Sequence, residues 1–350
     1  MNEMNGKTRR NIVLQLLFLA ALIGATFWWL LRDCDMETML TTLKGATPWL
    51  IGLGLLCMGL FIFCGASSAS VLFHALGRPM GPLRRTKYHL IEFFFSAITP
   101  SSSGGQPFEV LFMRLDGYKV TEATVVLLVV AVLYKVAMLV LFFSLYLLNF
   151  AFLHAQVAGI WFLFLLGLLL NVAVIVVIVM ALYAQKTMRR VCAWCLRLLS
   201  RLRLVRRREA AQKKLDDWLR SFHDCAGFMR AHPWPVVKSF CIVLLQRALY
   251  LLIPWCVYEA MGLSGVTVWQ MMGLQLLLSV SVEMMPLPGA VGVSESVSLV
   301  LYDAIFGAQF RYPAVILTRG ISYYLPLLVS GAVTLGTRIS QLRGKARASK

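Results

Sequence analysis

The stretch Ser96–Val110, SAITPSSSGGQPFEV, decides how the chain is read. It sets three consecutive serines, two glycines, two prolines, a glutamine and a glutamate between apolar runs. In a soluble protein a surface loop would explain it. The flanks argue for another setting: 59% of the residues are hydrophobic and 14% charged, against about 25% charged in an average soluble domain. Several windows exceed the ~18 apolar residues that cross a bilayer core. The composition therefore predicts an all-α, polytopic membrane protein, a single integral domain over residues 1–350 with roughly six to eight spans. Within such a chain the polar stretch is either a loop between spans or a helix broken by Pro and Gly, which both stop helices.

Apolar length and flanking charge place spans near Asn11–Leu31, Trp49–Phe73, Thr124–Phe150, Gly159–Tyr183, Val236–Ala260 and Pro313–Gly336. The first follows MNEMNGKTRR, is too long for a signal peptide and lacks a small-x-small cleavage site, so it reads as an uncleaved span. Two further apolar regions, Tyr88–Phe112 and Val266–Phe306, break in the middle, the second at MMPLPGAVGVSES. Lys and Arg beside spans set orientation. They cluster at Lys7, Arg9 and Arg10, then at Arg78, Arg84, Arg85 and Lys87, and again at Arg338, Arg343, Lys345, Arg347 and Lys350. Together with the basic segment 186–232 these loops predict cytoplasmic N- and C-termini in a bacterial inner membrane. Each broken region must then enter and leave on one side, as a re-entrant hairpin or as two short crossings. The first opens from the cytoplasm and the second from outside.

The net charge of +18 raises the question of nucleic acid. Most of the excess sits between Lys186 and Lys238, and no recognition module accompanies it, so no nucleic-acid partner is expected. Attraction to anionic headgroups accounts for it. In that segment Val191, Trp194, Leu198, Leu199, Leu202 and Val205 fit either a basic amphipathic helix on the inner leaflet or a helical hairpin. Cys192 and Cys195 form a lone C-x-x-C without a second pair of ligands, and no nucleotide or hydrolase motif is present. No cofactor and no metal are expected.

The two broken regions share a spacing. Glu109 follows Pro100 by nine residues and Glu295 follows Pro286 by nine. Residues 49–150 read as a first repeat and 236–336 as a second, inverted by the extra span between them. Paired Pro/Gly-interrupted segments in inverted halves point to a transporter's binding site. Backbone groups freed at such breaks must face protein or a water-filled cavity, and amides at a half-helix start favour an anion. The candidate headgroup-binding residues are Ser101, Ser102, Ser103, Gly104, Gly105, Gln106 and Glu109 on the first segment. On the second they are Glu283, Pro288, Gly289, Gly292, Ser294 and Glu295.

Three cations lie deep in apolar runs: Lys135 in LLVVAVLYKVAMLVLFF, Arg247 in CIVLLQRALYLLIPW and Arg319 in VILTRGISYYLPLL. Each costs about 2.5–3.5 kcal/mol at a helix centre unless it has a partner. Buried salt bridges to Glu109, Glu283 and Glu295 are one use for them; holding a lipid phosphate is the other.

TPSSSGGQPFEVLFMRLDG (Thr99–Gly117), PLPGAVGVSES (Pro286–Ser296) and the TRGISYYLPLL run resemble the transmembrane domain of bacterial lysylphosphatidylglycerol synthases, a family that includes flippase-like proteins of the YbhN type. The full-length synthases add a cytoplasmic aminoacyltransferase domain, and this chain ends soon after its last span. The resemblance thus implies the flippase half, not an enzyme: binding an anionic or aminoacylated lipid, of phosphatidylglycerol or polyprenyl-phosphate type, and moving it between leaflets. The alternative is a membrane subunit of a synthase acting with a separate lipid-modifying enzyme. The family also implies membrane lipids with anionic headgroups as partners and is compatible with a homodimer. A scaffold that moves no lipid is the third class.

Overall fold

The computed structural model describes residues 6–32, 36–183, 187–188, 190, 208–283 and 285–348. Nearly all of them are helical, and among them there is no strand. The elements are α1 (Gly6–Arg32), α2 (Met36–Gly45), α3 (Pro48–Ala75), α4 (Pro82–Ile98), α5 (Gly105–Leu115), α6 (Val120–Leu148) and α7 (Phe150–Val157). They continue through α8 (Trp161–Tyr183), α9 (Arg208–Ala231), α10 (Pro233–Ala260), α11 (Val268–Val282), α12 (Val293–Arg319) and α13 (Leu325–Ala348). Six segments among the described residues are long and apolar enough to cross a membrane. They are Leu14–Arg32, Pro48–Ala75, Val120–Leu148, Phe150–Ala181, Pro233–Ala260 and Val293–Gln341. Five agree with the expected spans to within a few residues at most ends. The last starts earlier than Pro313, because α12 joins two helices end to end across Gly307, whose φ of 69° and ψ of 171° are not helical. Only glycine adopts that backbone without a steric penalty. The short helices α2 and α7 lie between the expected spans; each is only eight to ten residues long, too short for apolar length to reveal.

α3 and α10 form the most extensive helix pair. The run Cys64–Ser70, CGASSAS, is buried throughout, and small side chains let two helix backbones approach closely. Ser239 Oγ on α10 donates to the Ser68 carbonyl across the contact at 3.1 Å. α9 lays Phe222, Cys225, Ala226 and Phe228 into the same buried cluster as Ala123 and Val126 of α6. The proposed amphipathic positions Val191–Val205 and the Cys192/Cys195 pair lie outside the described residues.

The two broken regions fold as helical hairpins. In the first, α4 and α5 return to the same end of the bundle, because Asp116 after α5 pairs with Lys87 near the start of α4. Tyr88 Oη also donates to Asp116 Oδ2 at 2.7 Å, and Gln341 Nε2 of α13 donates to Oδ1 at 3.2 Å. Burial alone would raise the Asp116 carboxyl; the bonds from Lys87 and Tyr88 outweigh it and hold that carboxyl below the usual carboxylate range. The second hairpin has its base at the opposite end. There α11 begins with a reciprocal cap, Gln270 N to Thr267 Oγ1 at 3.3 Å and Thr267 N to Gln270 Oε1 at 2.9 Å, which satisfies two orphan amides. Phe306, beside the Gly307 bend, meets Tyr258 near the end of α10 at a centroid distance of 5.3 Å.

The tips of the hairpins touch. Pro100 and Pro288 form an isolated antiparallel bridge, Ser101 Oγ reaches the Met285 carbonyl at 3.3 Å, and Tyr323 Oη donates to the Ala97 carbonyl at 3.3 Å.

Candidate functional site: a polar cavity at the hairpin tips

Both tips turn in the same way. Ser102 N donates to the Thr99 carbonyl and Ser103 N to that of Pro100, each at 3.2 Å. On the second hairpin Ala290 N donates to Leu287 at 3.1 Å and Val291 N to Pro288 at 3.2 Å. Two left-handed residues follow each bridging proline: Ser101 and Ser102 at φ 50° and 54°, Gly289 and Ala290 at φ 57° and 51°. Helices then resume at Gly105 and at Val293. This matches Pro100 with Pro288, two residues off the register in which Pro286 was its counterpart.

In the new register Glu109 and Glu295 are not equivalent. Glu295 stands in the first turn of α12 and folds back on it: Oε2 accepts from Gly292 N at 2.7 Å. Its Oε1 accepts from Arg319 Nε at 2.7 Å and from Tyr324 Oη at 3.0 Å. Arg319 also donates through Nη2 to the Gly289 carbonyl at 3.3 Å and lies 4.4 Å from the Tyr323 ring centroid. The π-helical turn Gly320–Tyr324 follows Arg319 directly and carries both tyrosines. The start of α12, expected to offer its amides to an anion, is thus already met by the protein's own carboxylate. At the start of α5, Gly104 N donates to Thr99 Oγ1 at 2.9 Å.

A cavity of about 530 Å³ lies between the tips and α3, α6 and α10. From the first hairpin Ser101, Ser102, Gln106 and Glu109 line it. From the second come Glu283, Gly289 and Ser294, and from the long helices Lys135, Arg247 and Arg319. The other expected residues have different work. Ser103 Oγ bonds the Pro100 carbonyl, and Gly105 lets α5 rest on α4, since a Cβ there would sit 2.0 Å from Ser96 Oγ. Gly104, Pro288, Gly292 and Glu295 shape the tips.

The three deep cations divide. Lys135 Nζ pairs with Glu283 Oε1 at 2.8 Å and bonds Asn171 Oδ1 at 3.0 Å; Tyr134 Oη donates to the same Glu283 oxygen at 2.9 Å. Arg319 is matched by Glu295. Arg247 has no carboxylate among the described residues. Its guanidinium lies 4.6 Å from the ring centroids of both Phe61 and Tyr134, and its Nε is buried without a hydrogen-bond partner. Such stacking offsets roughly 0.5–2 kcal/mol but leaves the donors free.

Three lining residues of α4 were not among the site candidates: His89, Glu92 and Arg85, the last read from the sequence only as a marker of orientation. Arg85 lies over Phe63 with its Nε buried and unpartnered, and His89 Nδ1 meets Glu92 Oε2 at 3.0 Å. Their spacing along RRTKYHLIEFF is the signal that could have found them, because residues three and four apart share a helix face.

A family model described as lysylphosphatidylglycerol synthase TM region matches residues 12–330. No curated protein matches the chain.

Proposed function

Because the chain belongs to the family of the lysylphosphatidylglycerol synthase TM region, and is by its helices a multi-pass membrane protein, we propose that it binds the anionic headgroup of a phospholipid or polyprenyl phosphate in the tip cavity and passes it between leaflets. The observation that carries this reading is Arg247, a guanidinium in the middle of an apolar helix with a buried, unbonded Nε, no carboxylate within ion-pair distance among the described residues and a cavity in front of it. An unmatched charge there costs about 2.5–3.5 kcal/mol; a phosphate would satisfy it through parallel charge-assisted bonds. Arg85 supplies a second unmatched cation in the same cavity. A volume of about 530 Å³ falls in the range of small-ligand sites and holds a headgroup while the acyl chains stay outside.

In this reading the two hairpins are re-entrant, each covering half of the bilayer from its own side, and the termini are cytoplasmic in a bacterial inner membrane, an orientation that the Lys/Arg distribution supports. In the same reading the headgroup crosses chemically unchanged. The family description favours one other reading, in which the chain is the membrane part of a synthase whose aminoacyl transfer belongs to a separate protein. Headgroup modification that appears only when a catalytic partner is added would mark it.

The test is reconstitution into vesicles containing a trace of fluorescent phosphatidylglycerol. The protein should expose inner-leaflet probe to an impermeant quencher. Arg247→Gln should slow that exposure about tenfold or more, the equivalent of some 1.4 kcal/mol, with Arg247→Lys between the two. A folded wild type that leaves the probe at the protein-free rate overturns the reading.

A further inference from the structure

The first hairpin carries a group that phosphate binding does not use. Glu109 is 4% exposed, lines the cavity, and among the described residues forms no ion pair or hydrogen bond. A Cβ on Gly105 would lie 3.2 Å from Glu92 Cγ, and Glu109 stands one turn further along that face of α5; Glu92 is the charged side chain that acts on it. Glu92 Oε2 in turn meets His89 Nδ1 at 3.0 Å, while His89 Nε2 is buried with no partner. The hairpin therefore holds two carboxylates and an imidazole in sequence, ending on an unpartnered, buried Glu109 that faces the cavity.

The other charged groups around the cavity do not neutralise this cluster. On α6, Lys135 is engaged by Glu283, with Tyr134 bonded to the same carboxylate. Across the cavity Arg319 is engaged by Glu295, Arg247 stacks between Phe61 and Tyr134, and Tyr250 and Tyr323 line it with phenol rings. Arg85, on α4 itself, lies over Phe63. Glu92 keeps 29% of its side chain exposed, but Glu109 is buried, where a second negative charge beside the first is disfavoured.

We propose that His89, Glu92 and Glu109 form a proton-binding site, and that uptake and release of one proton there is coupled to passage of the headgroup through the cavity. A proton arriving at His89 Nε2 allows the Nδ1 proton to pass to Glu92 and on to Glu109. The imidazole is left neutral in its other tautomer, Glu92 returns to its starting form, and Glu109 gains one proton. An anionic phosphate beside Arg247 then shares the cavity with a neutral Glu109 rather than a like charge. Loss of the headgroup on the far side frees the proton to leave. The coupling rests on the lipid-handling reading; the proton site does not.

Two measurements separate them. Infrared spectroscopy of the protein in lipid bilayers should show, at neutral pH, the carbonyl band of a protonated carboxyl group. Glu109→Gln should remove that band. Glu92→Gln should change the pH at which it disappears, and Glu122→Gln, at a remote ion pair with Lys119, should leave that pH unchanged. Absence of the band in folded wild type, or its persistence in Glu109→Gln, overturns the proton site. In vesicles with an internal pH dye, wild type should acidify or alkalinise the lumen as phosphatidylglycerol equilibrates, and an imposed pH difference should change the lipid rate several-fold; Glu109→Gln should lose both responses. A wild type that moves lipid at a rate indifferent to the pH difference, with no change in luminal pH, overturns the coupling while the flippase reading stands. A wild type that moves no lipid removes the flippase reading and the coupling with it, while the infrared band still decides the proton site.

Discussion

The two hairpins make the same turn at the same kind of proline and then part company. The second is pinned: Glu295 caps its own helix and holds both Arg319 and Tyr324, while Arg319 bonds the Gly289 carbonyl and lies over Tyr323. The first has no comparable internal tie at its tip. Its carboxylates and its arginine face the cavity, and its firm contacts are at the base, around Asp116. The difference teaches that a shared backbone device does not imply a shared role. One hairpin is an anchor, and the other carries groups that are free to meet a ligand.

The largest expected effect tests the anchor. Arg319→Ala leaves Glu295 buried without its cation and should destabilise the protein by about 3–5 kcal/mol, read as a lower thermal unfolding midpoint in detergent. Arg247→Gln, on a cation that is also mid-helix, should cost less than about 1 kcal/mol, because no carboxylate is orphaned. Equal losses would erase the distinction between pinned and free charges. Next comes Gly289→Ala. Its methyl would lie 2.0 Å from Tyr323 Oη at a backbone φ of 57°, so a loss of about 1–3 kcal/mol is expected. Combined with Tyr323→Ala the two losses should sum to less than their separate values, since they share one contact.

The base of the first hairpin supplies a smaller, pH-dependent effect. Asp116→Asn should cost about 1–2 kcal/mol at neutral pH. Because the folded carboxyl sits below its usual range, that contribution is fully present above the unfolded value of about 3.9. It fades as the pH falls through the lower folded value, where variant and wild type should converge in chemical-unfolding midpoints. A gap that persists in acid would mean that the contact at Asp116 is not electrostatic. The smallest effect is at the tip itself: Ser101→Ala removes one long bond to Met285 and should change stability by less than about 0.5 kcal/mol.

Much of this architecture was legible from the chain. Apolar length located the six long segments, Pro and Gly located both breaks, and the depth of Lys135, Arg247 and Arg319 marked them as inward-facing. What escaped has physical causes. Pro286 and Pro288 are two residues apart and both are candidates for the tip; spacing to the next glutamate chose the former, whereas the left-handed turn chose the latter. Which cation meets which carboxylate depends on helix rotation, and hydropathy does not encode rotation within a span. His89 and Glu92 sat in a stretch read as one arm of a broken region, so their shared face went unused. Tyr323 and Tyr324 are brought to Arg319 by a π-helical turn, a local widening that no composition signal announces.

The meeting of Pro100 with Pro288 has a consequence of its own. Extended backbones that touch usually recruit their neighbours, because each unpaired amide invites another rung. Neither proline has an N–H to give, and left-handed residues follow immediately on both sides. The contact is therefore self-limiting, a strand pairing that cannot zip into a ladder. Parting the tips requires no sheet to melt, and closing them risks none forming.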